Sequence, residues 1–147
     1  MKIRGFKPIE TEKMKFPLTE TMLPKRGDKG SAGYDFYSKE TVTIPSNQSH
    51  LFWTDLQSYM LEDEVLKIYV RSSIGIKKGL ILKNGTAIID SSYEGNIGIC
   101  LYNQSSQDVL IEAGERIAQG IFQKYLIVDE DECLHQERVG GFGSSNR

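Results

Sequence analysis

From Leu80 to Val128 the chain is a succession of short apolar runs, each closed within a few positions by glycine, asparagine or serine. The runs are Leu80 to Lys83, Ala87 to Ile89, Asn96 to Tyr102, Val109 to Glu112 and Ile117 to Val128, and they are rich in residues that suit a pleated, half-buried surface. Many brief strands at close spacing predict an all-β sandwich, jelly roll or barrel. The stretch from Asn84 to Asn103 reads as a strand, a polar corner and a returning strand, a hairpin with Asp90 at the end of one arm and Tyr93 just past the turn.

The first half is β as well, with longer interruptions. Met1 to Ile9 alternates loosely and predicts a first strand, while Thr11 to Gly30 carries Pro17, Pro24 and Gly27 without any period and predicts a loop. Strands are expected over Ala32 to Ser38, Val42 to Pro45, His50 to Thr54 and Val65 to Val70, with Gln57 to Glu64 as a polar connection. Arg71 to Gly79 breaks this pattern. Ser72 or Ser73 suits a helix cap, Lys77 and Lys78 suit the last turn, and Gly79 suits the left-handed residue that ends it, so one short helix is expected here.

The totals restrict function more than fold. A chain of 147 residues suits one domain and buries enough surface to fold without disulfide or structural metal. A formal charge of -2 gives no reason to expect nucleic acid as the main partner, so any anionic ligand must be met by local cations or backbone amides. Cys100 and Cys133 lack paired spacing, and with His50 and His135 they form no zinc-type cluster, which predicts a reducing cytoplasmic setting. No segment approaches the roughly 20 apolar residues of a membrane span. Residues 138–147 hold Gly140, Gly141, Gly143, Ser144 and Ser145 around a single large apolar residue, Phe142, and are expected to form a flexible tail on a domain of residues 1–137.

Five polar or glycine-rich clusters interrupt the β pattern, and their order and spacing carry a resemblance. Ala32-Gly33-Tyr34-Asp35-Phe36-Tyr37-Ser38 resembles the AGxDLxS motif of the trimeric dUTP pyrophosphatases, or dUTPases. Arg71-Ser72-Ser73-Ile74-Gly75 is similar to their RSGLA or RSSxA motif, and Gly85 to Ile97 to GxIDxxYxGxI. Gly114-Glu115-Arg116-Ile117-Ala118-Gln119 resembles GxRIAQ, and Gly140 to Ser145 resembles GGFGST. The resemblance spans about Ser31 to Ser145.

This resemblance implies a jelly-roll subunit of the β-clip type, a homotrimer with shared sites, and Mg²⁺-dependent cleavage of dUTP to dUMP and pyrophosphate. Attack at the α-phosphorus needs an oriented water, and Asp90 is the candidate general base. Arg71 with the amides of Ser72 and Ser73 is a candidate triphosphate cradle, and Gln119 a neutral donor to the α-phosphate. The resemblance adds Asn84 and Gly98 as uracil-side contacts, Tyr93 as the ring beneath the deoxyribose, Phe142 as a lid on the base, and Gly143, Ser144, Ser145 and Arg138 at the terminal phosphates. Arg138 stands one residue nearer the glycines than in the family pattern, with Glu137 in the arginine's usual place. Mg²⁺ is expected on phosphate oxygens and waters without direct protein ligands, with Asp35 either in an outer shell or a structural hydrogen bond. Two other readings stand beside this one. A dCTP deaminase of the same fold needs a glutamate in the strand after the corner, and Asn96 to Asn103 has no acid. A non-catalytic nucleotide-sensing β module has no need of Asp90 and Gln119.

Overall fold

The computed structural model describes residues 1–133. Its strands are β1 (Gly5–Pro8), β2 (Tyr34–Tyr37), β3 (Val42–Ile44), β4 (Ser49–Trp53), β5 (Leu56–Tyr59), β6 (Glu64–Val70), β7 (Leu80–Leu82), β8 (Ala87–Asp90), β9 (Gly98–Asn103), β10 (Val109–Ile111) and β11 (Arg116–Lys124). Two helical turns, Thr11–Lys13 and Ser73–Lys77, complete the regular structure of these residues, the first within the segment read from sequence as loop.

The pairing is antiparallel throughout. A four-stranded sheet ordered β2, β11, β6, β8 and a three-stranded sheet ordered β4, β9, β7 are joined by two ribbons, β1 with β5 and β3 with β10. Alternation along each strand sends one row of side chains inward. Phe36, Leu66, Ile68, Ala87, Ile117 and Ala118 come from the first sheet, and Phe52, Leu80, Leu82, Ile99 and Leu101 from the second, into one core closed by Ile44, Leu56, Ile74, Ile97 and Ile111. The arrangement is a jelly roll. Ile117 and Ala118 are neighbours in sequence yet both fully buried, because the ladder between β11 and β2 shifts register between Arg116 and Ala118. Gly120, for which the sequence alone offers no reason, sits on this strand where a Cβ would lie 2.9 Å from both Leu66 and Phe36. The core is filled to its backbone there.

Three expectations are corrected. Gln57 to Glu64 is not only a connection: β5 pairs with β1, and its inward row is Leu56 and Ser58, a serine that hides the alternation. The last strand stops at Lys124, opposite Glu64, followed by one more bond from the Tyr125 N–H to the Asp63 carbonyl at 3.2 Å, and Leu126, Ile127 and Val128 are left exposed. The third concerns the corner. β8 pairs with β6 alone, whereas β9 pairs with β4 and β7, so Gly85 to Ile97 is not a two-stranded hairpin. Ala87 and Ile99 face the same core from opposite layers, and the corner between Asp90 and Gly98 carries the chain from one sheet to the other.

Candidate functional site

At one end of β6 the strand runs into the helical turn Ser73–Lys77, which is pinned by buried Ile74 and ended by Gly79 at a φ of 71°. The Gly75 N–H donates to the Arg71 carbonyl at 2.9 Å. Neither serine caps the turn through its side chain, contrary to expectation, because Ser72 already has helical angles (φ -54°, ψ -45°) instead of the extended backbone a cap requires. Ser72 and Ser73 are exposed, and Ser73 Oγ accepts a long 3.4 Å bond from Arg71 Nη1.

Arg71, just past the end of β6, is held from β2, two strands away across β11. Its Nε lies 3.0 Å from Asp35 Oδ1, and Arg116 Nη1 lies 3.7 Å from Asp35 Oδ2, so the buried Asp35 carboxylate is a strut between two guanidiniums. Gln119 stands in register between Asp35 and Tyr69, and a Cβ on Gly33 would fall 2.2 Å from its Oε1; only glycine lets that amide lie there. Arg71, Ser73, Lys77, Lys78, Glu115 and Arg116 line an open groove of about 460 Å³. Lys78 is paired with Glu115, and with Asp35 behind the wall the cations still exceed the carboxylates. Such a groove suits a flexible polyanion.

The corner is built differently. Asp90 ends β8 opposite Val65, half-buried. Tyr93 is only 9% exposed, donates its hydroxyl to the Asn96 carbonyl at 2.6 Å, and lies so close to Gly95 that a Cβ there would meet its oxygen at 2.6 Å. Burial pushes the Tyr93 hydroxyl above its ordinary pKa, so it stays a donor. Gly98 is held free of a side chain by Trp53, whose ring edge would lie 2.9 Å from a Cβ. Asn84 is exposed in the turn before β8, at the far end of that strand from Asp90. Among the described residues β8 pairs with β6 alone, so its outer side from Ala87 to Ile89 is a sheet edge, while the Asp90 carbonyl accepts from the Tyr93 N–H at 3.1 Å.

These two groups do not meet within one chain. Val65 faces Asp90 and Tyr69 faces Gln119, so the carboxylate and the amide are displaced by about 13 Å along the sheet and by two strand spacings, about 10 Å, across it. Arg71 is farther still. Among the described residues no three His, Cys, Asp or Glu side chains converge to hold a metal, and both Asp35 oxygens face guanidiniums, which fits a metal carried on phosphate oxygens better than one caged by protein. Arg138, Phe142, Gly143, Ser144 and Ser145 lie outside the described residues.

Sequence reasoning missed the group behind the corner. Asp55, fully buried at a φ of 59°, gathers donors from Lys15, Phe16, Lys39 and Asn96. The signal available was an acid directly after the apolar run ending at Trp53 and Thr54, which reads equally well as a turn.

A family model described as dUTPase matches residues 19–146. The deoxyuridine 5'-triphosphate nucleotidohydrolase of Lactococcus lactis is 41% identical over 152 aligned positions, covering 99% of each chain. The crystal structure of dUTPase from Streptococcus mutans superposes with a TM-score of 0.74 at 37% identity, over 86% of this chain and 99% of that one. A dUTPase mutant of Staphylococcus aureus phage phi11, described as coordinating a structural Mg(II) ion, shares the fold with a TM-score of 0.71 at 20% identity, over 92% of this chain and all of that one (100%).

Proposed function

The chain belongs to the dUTPase family, and from that premise we infer that it hydrolyses dUTP to dUMP and pyrophosphate. The activity removes a precursor of uracil in DNA and supplies dUMP for thymidylate synthesis. The observation that carries the reading from this chain's own geometry is the sorting of its polar groups. Cations and amide donors collect at one end of the central sheet, and an acid beside an aromatic wall stands at the other.

Each group has a task in that reaction. Arg71 and the amides of Ser72 and Ser73 grip the triphosphate, with Gln119 donating to the α-phosphate. Asp90 takes the proton from the attacking water. The outer edge of β8, with Asn84 and Gly98, pairs with the uracil edge, and a base that left those groups unpaired is disfavoured by the cost of desolvating them. The Tyr93 ring leaves no room for a 2'-hydroxyl. When bound with the nucleotide, Mg²⁺ would supply charge neutralisation to the triphosphate, with Asp35 no closer than an outer shell. The separation of Asp90 from Gln119 and Arg71 supports sites assembled between subunits of a homotrimer, and sedimentation at three subunit masses checks this; an active monomer would contradict it. The tail completes the site, with Phe142 over the base and Arg138, Gly143, Ser144 and Ser145 at the phosphates. Cys100 and Cys133 are both free thiols, which fits the cytoplasm as the place of action.

Pyrophosphatase-coupled phosphate release, run on dUTP, UTP, dTTP and dCTP, tests the function. Turnover confined largely to dUTP is expected. Ammonia released from dCTP, or no turnover of any nucleotide, would overturn it.

A further inference from the structure

The buried acid at residue 55 has no part in the reaction just described, yet it sits directly behind the element that selects the sugar. Asp55 and Asn96 clasp each other twice: Asn96 Nδ2 donates to Asp55 Oδ1 at 2.9 Å, and the Asp55 N–H donates to Asn96 Oδ1 at 2.8 Å. The same carboxylate accepts the N–H groups of Lys15 and Phe16 at 2.9 and 3.0 Å and the Lys39 ammonium at 2.9 Å. Asp55 is therefore fixed by the N-terminal loop and by the segment after β2, and it in turn fixes Asn96.

Asn96 passes this constraint on. Its carbonyl is the acceptor for the Tyr93 hydroxyl, and the flanking bonds from the Thr54 N–H and Thr54 Oγ1 to the Ile97 carbonyl, and from the Ile97 N–H to the Leu56 carbonyl, hold the same arm of the corner. Asp90, by contrast, is set by β8 in the opposite layer. The two backbones are tied to each other by the Tyr93 N–H to the Asp90 carbonyl at 3.1 Å, so what remains to be set is where the hydroxyl end of the ring stands relative to the acid, and the anchor for that end is the Asp55 pair.

Resting on the function proposed above, we infer that Asp55 is a positioning residue for sugar selection, holding Tyr93 through Asn96 at the distance from Asp90 that admits deoxyribose and rejects ribose. A carboxylate suits the task because it accepts four donors at once, and aspartate tolerates the left-handed backbone found there better than most residues. A purely structural role would lower the folded fraction and reduce turnover of every substrate alike. A positioning role changes the ratio between substrates.

The test is kcat/KM for dUTP and for UTP in the full-length wild type, Asp55→Asn, Asn96→Ala and Tyr93→Phe. The dUTP to UTP ratio is expected to fall about tenfold in Asp55→Asn and Asn96→Ala, with kcat on dUTP within about threefold in those two variants, and to fall by less in Tyr93→Phe. Ile44→Val is the control: it removes a methyl group from the core away from the corner and lowers the melting temperature, but touches no bond of the Asp55 and Asn96 clasp, so its ratio should match the wild type. An unchanged ratio in folded Asn96→Ala overturns the inference, even where Asp55→Asn fails to fold. Wild-type protein that does not turn over dUTP overturns the function instead, which is a separate result.

Discussion

The end of the sheet proposed to grip phosphate and the corner proposed to select the sugar would solve opposite problems with the same sheet. At the phosphate end the working groups are exposed or half-exposed and loosely tied: Ser72 and Ser73 make no cap, and Arg71 leans on Asp35 through one 3.0 Å contact. At the corner Asp55 and Tyr93 are buried, Asp55 and Asn96 are bonded twice to each other, and the chain of bonds ends on the Tyr93 hydroxyl. A triphosphate with its metal is strongly charged and conformationally varied, and long-range attraction grips it without exact fit. Telling one sugar from another turns on a single oxygen atom, which only a wall that cannot yield will resolve.

Variants at the two ends should therefore fail in different ways, and the largest failure belongs to the acid. Asp90→Asn is expected to reduce kcat by about three orders of magnitude while leaving dUTP binding and melting temperature near wild type. Single-turnover kinetics beside calorimetric titration with a non-hydrolysable dUTP analogue separate the two, and near-normal turnover would remove Asp90 from the role of base. Arg71→Ala comes next. Its loss removes a charge-assisted contact, so KM should rise about tenfold or more for dUTP and for UTP by the same factor, with a weaker dependence on ionic strength. If instead Arg71→Ala changed the ratio between the two nucleotides, the division between grip and selection would be wrong.

The acid limb of stability tests the corner from another side. Burial alone pushes the Asp55 carboxyl upward, yet the Lys15 and Phe16 N–H groups, the Lys39 ammonium and the Asn96 amide together hold it below the ordinary carboxylate range. A lowered pKa in the folded state means that the unfolded chain binds the proton first as pH falls. The contribution of Asp55 is thus complete above the unfolded value of about 3.9 and is lost as pH drops from there through the folded value. Melting temperature measured from pH 6 down to pH 3 should fall less steeply in Asp55→Asn than in wild type, and parallel curves would mean that other carboxylates dominate.

Much of this was legible in one dimension, for reasons that can be named. Strands β2, β3, β4, β6, β7, β8 and β10 follow from β-branched and aromatic runs between turn formers, and Gly79 from the need for a left-handed residue after the helical turn. What stayed hidden was long-range. Whether β8 and β9 pair with each other depends on which neighbours β6 and β4 occupy, and no local pattern encodes that. Asp55 joins residues from 15 to 96, and its neighbours in sequence give no hint that four donors converge there. Gly120 looks arbitrary until Leu66 and Phe36 are seen pressing on it. The candidate site divides along the same line: the motifs name the residues proposed to touch a ligand and the Asp35 strut behind Arg71, but pass over Asp55 and Lys39 behind the corner.

The smallest expected effect is the most direct probe of how little the phosphate end is tied to its own fold. A serine that caps a helix contributes about 1 kcal/mol, so removing a capping hydroxyl lowers the melting temperature of a domain this size by about 2 to 4 °C. Neither Ser72 nor Ser73 makes that bond, and Ser73 Oγ has only the long contact from Arg71. Ser73→Ala should therefore melt within about 1 °C of wild type without nucleotide, because an exposed substitution that breaks no short bond falls near neutral. With nucleotide present the variant should gain slightly less thermal protection than wild type, since the hydroxyl is free to serve the ligand. A melting loss of the full capping size in the absence of nucleotide would mean that this end, too, is held by its own bonds, and the contrast with the corner would shrink to one of burial alone.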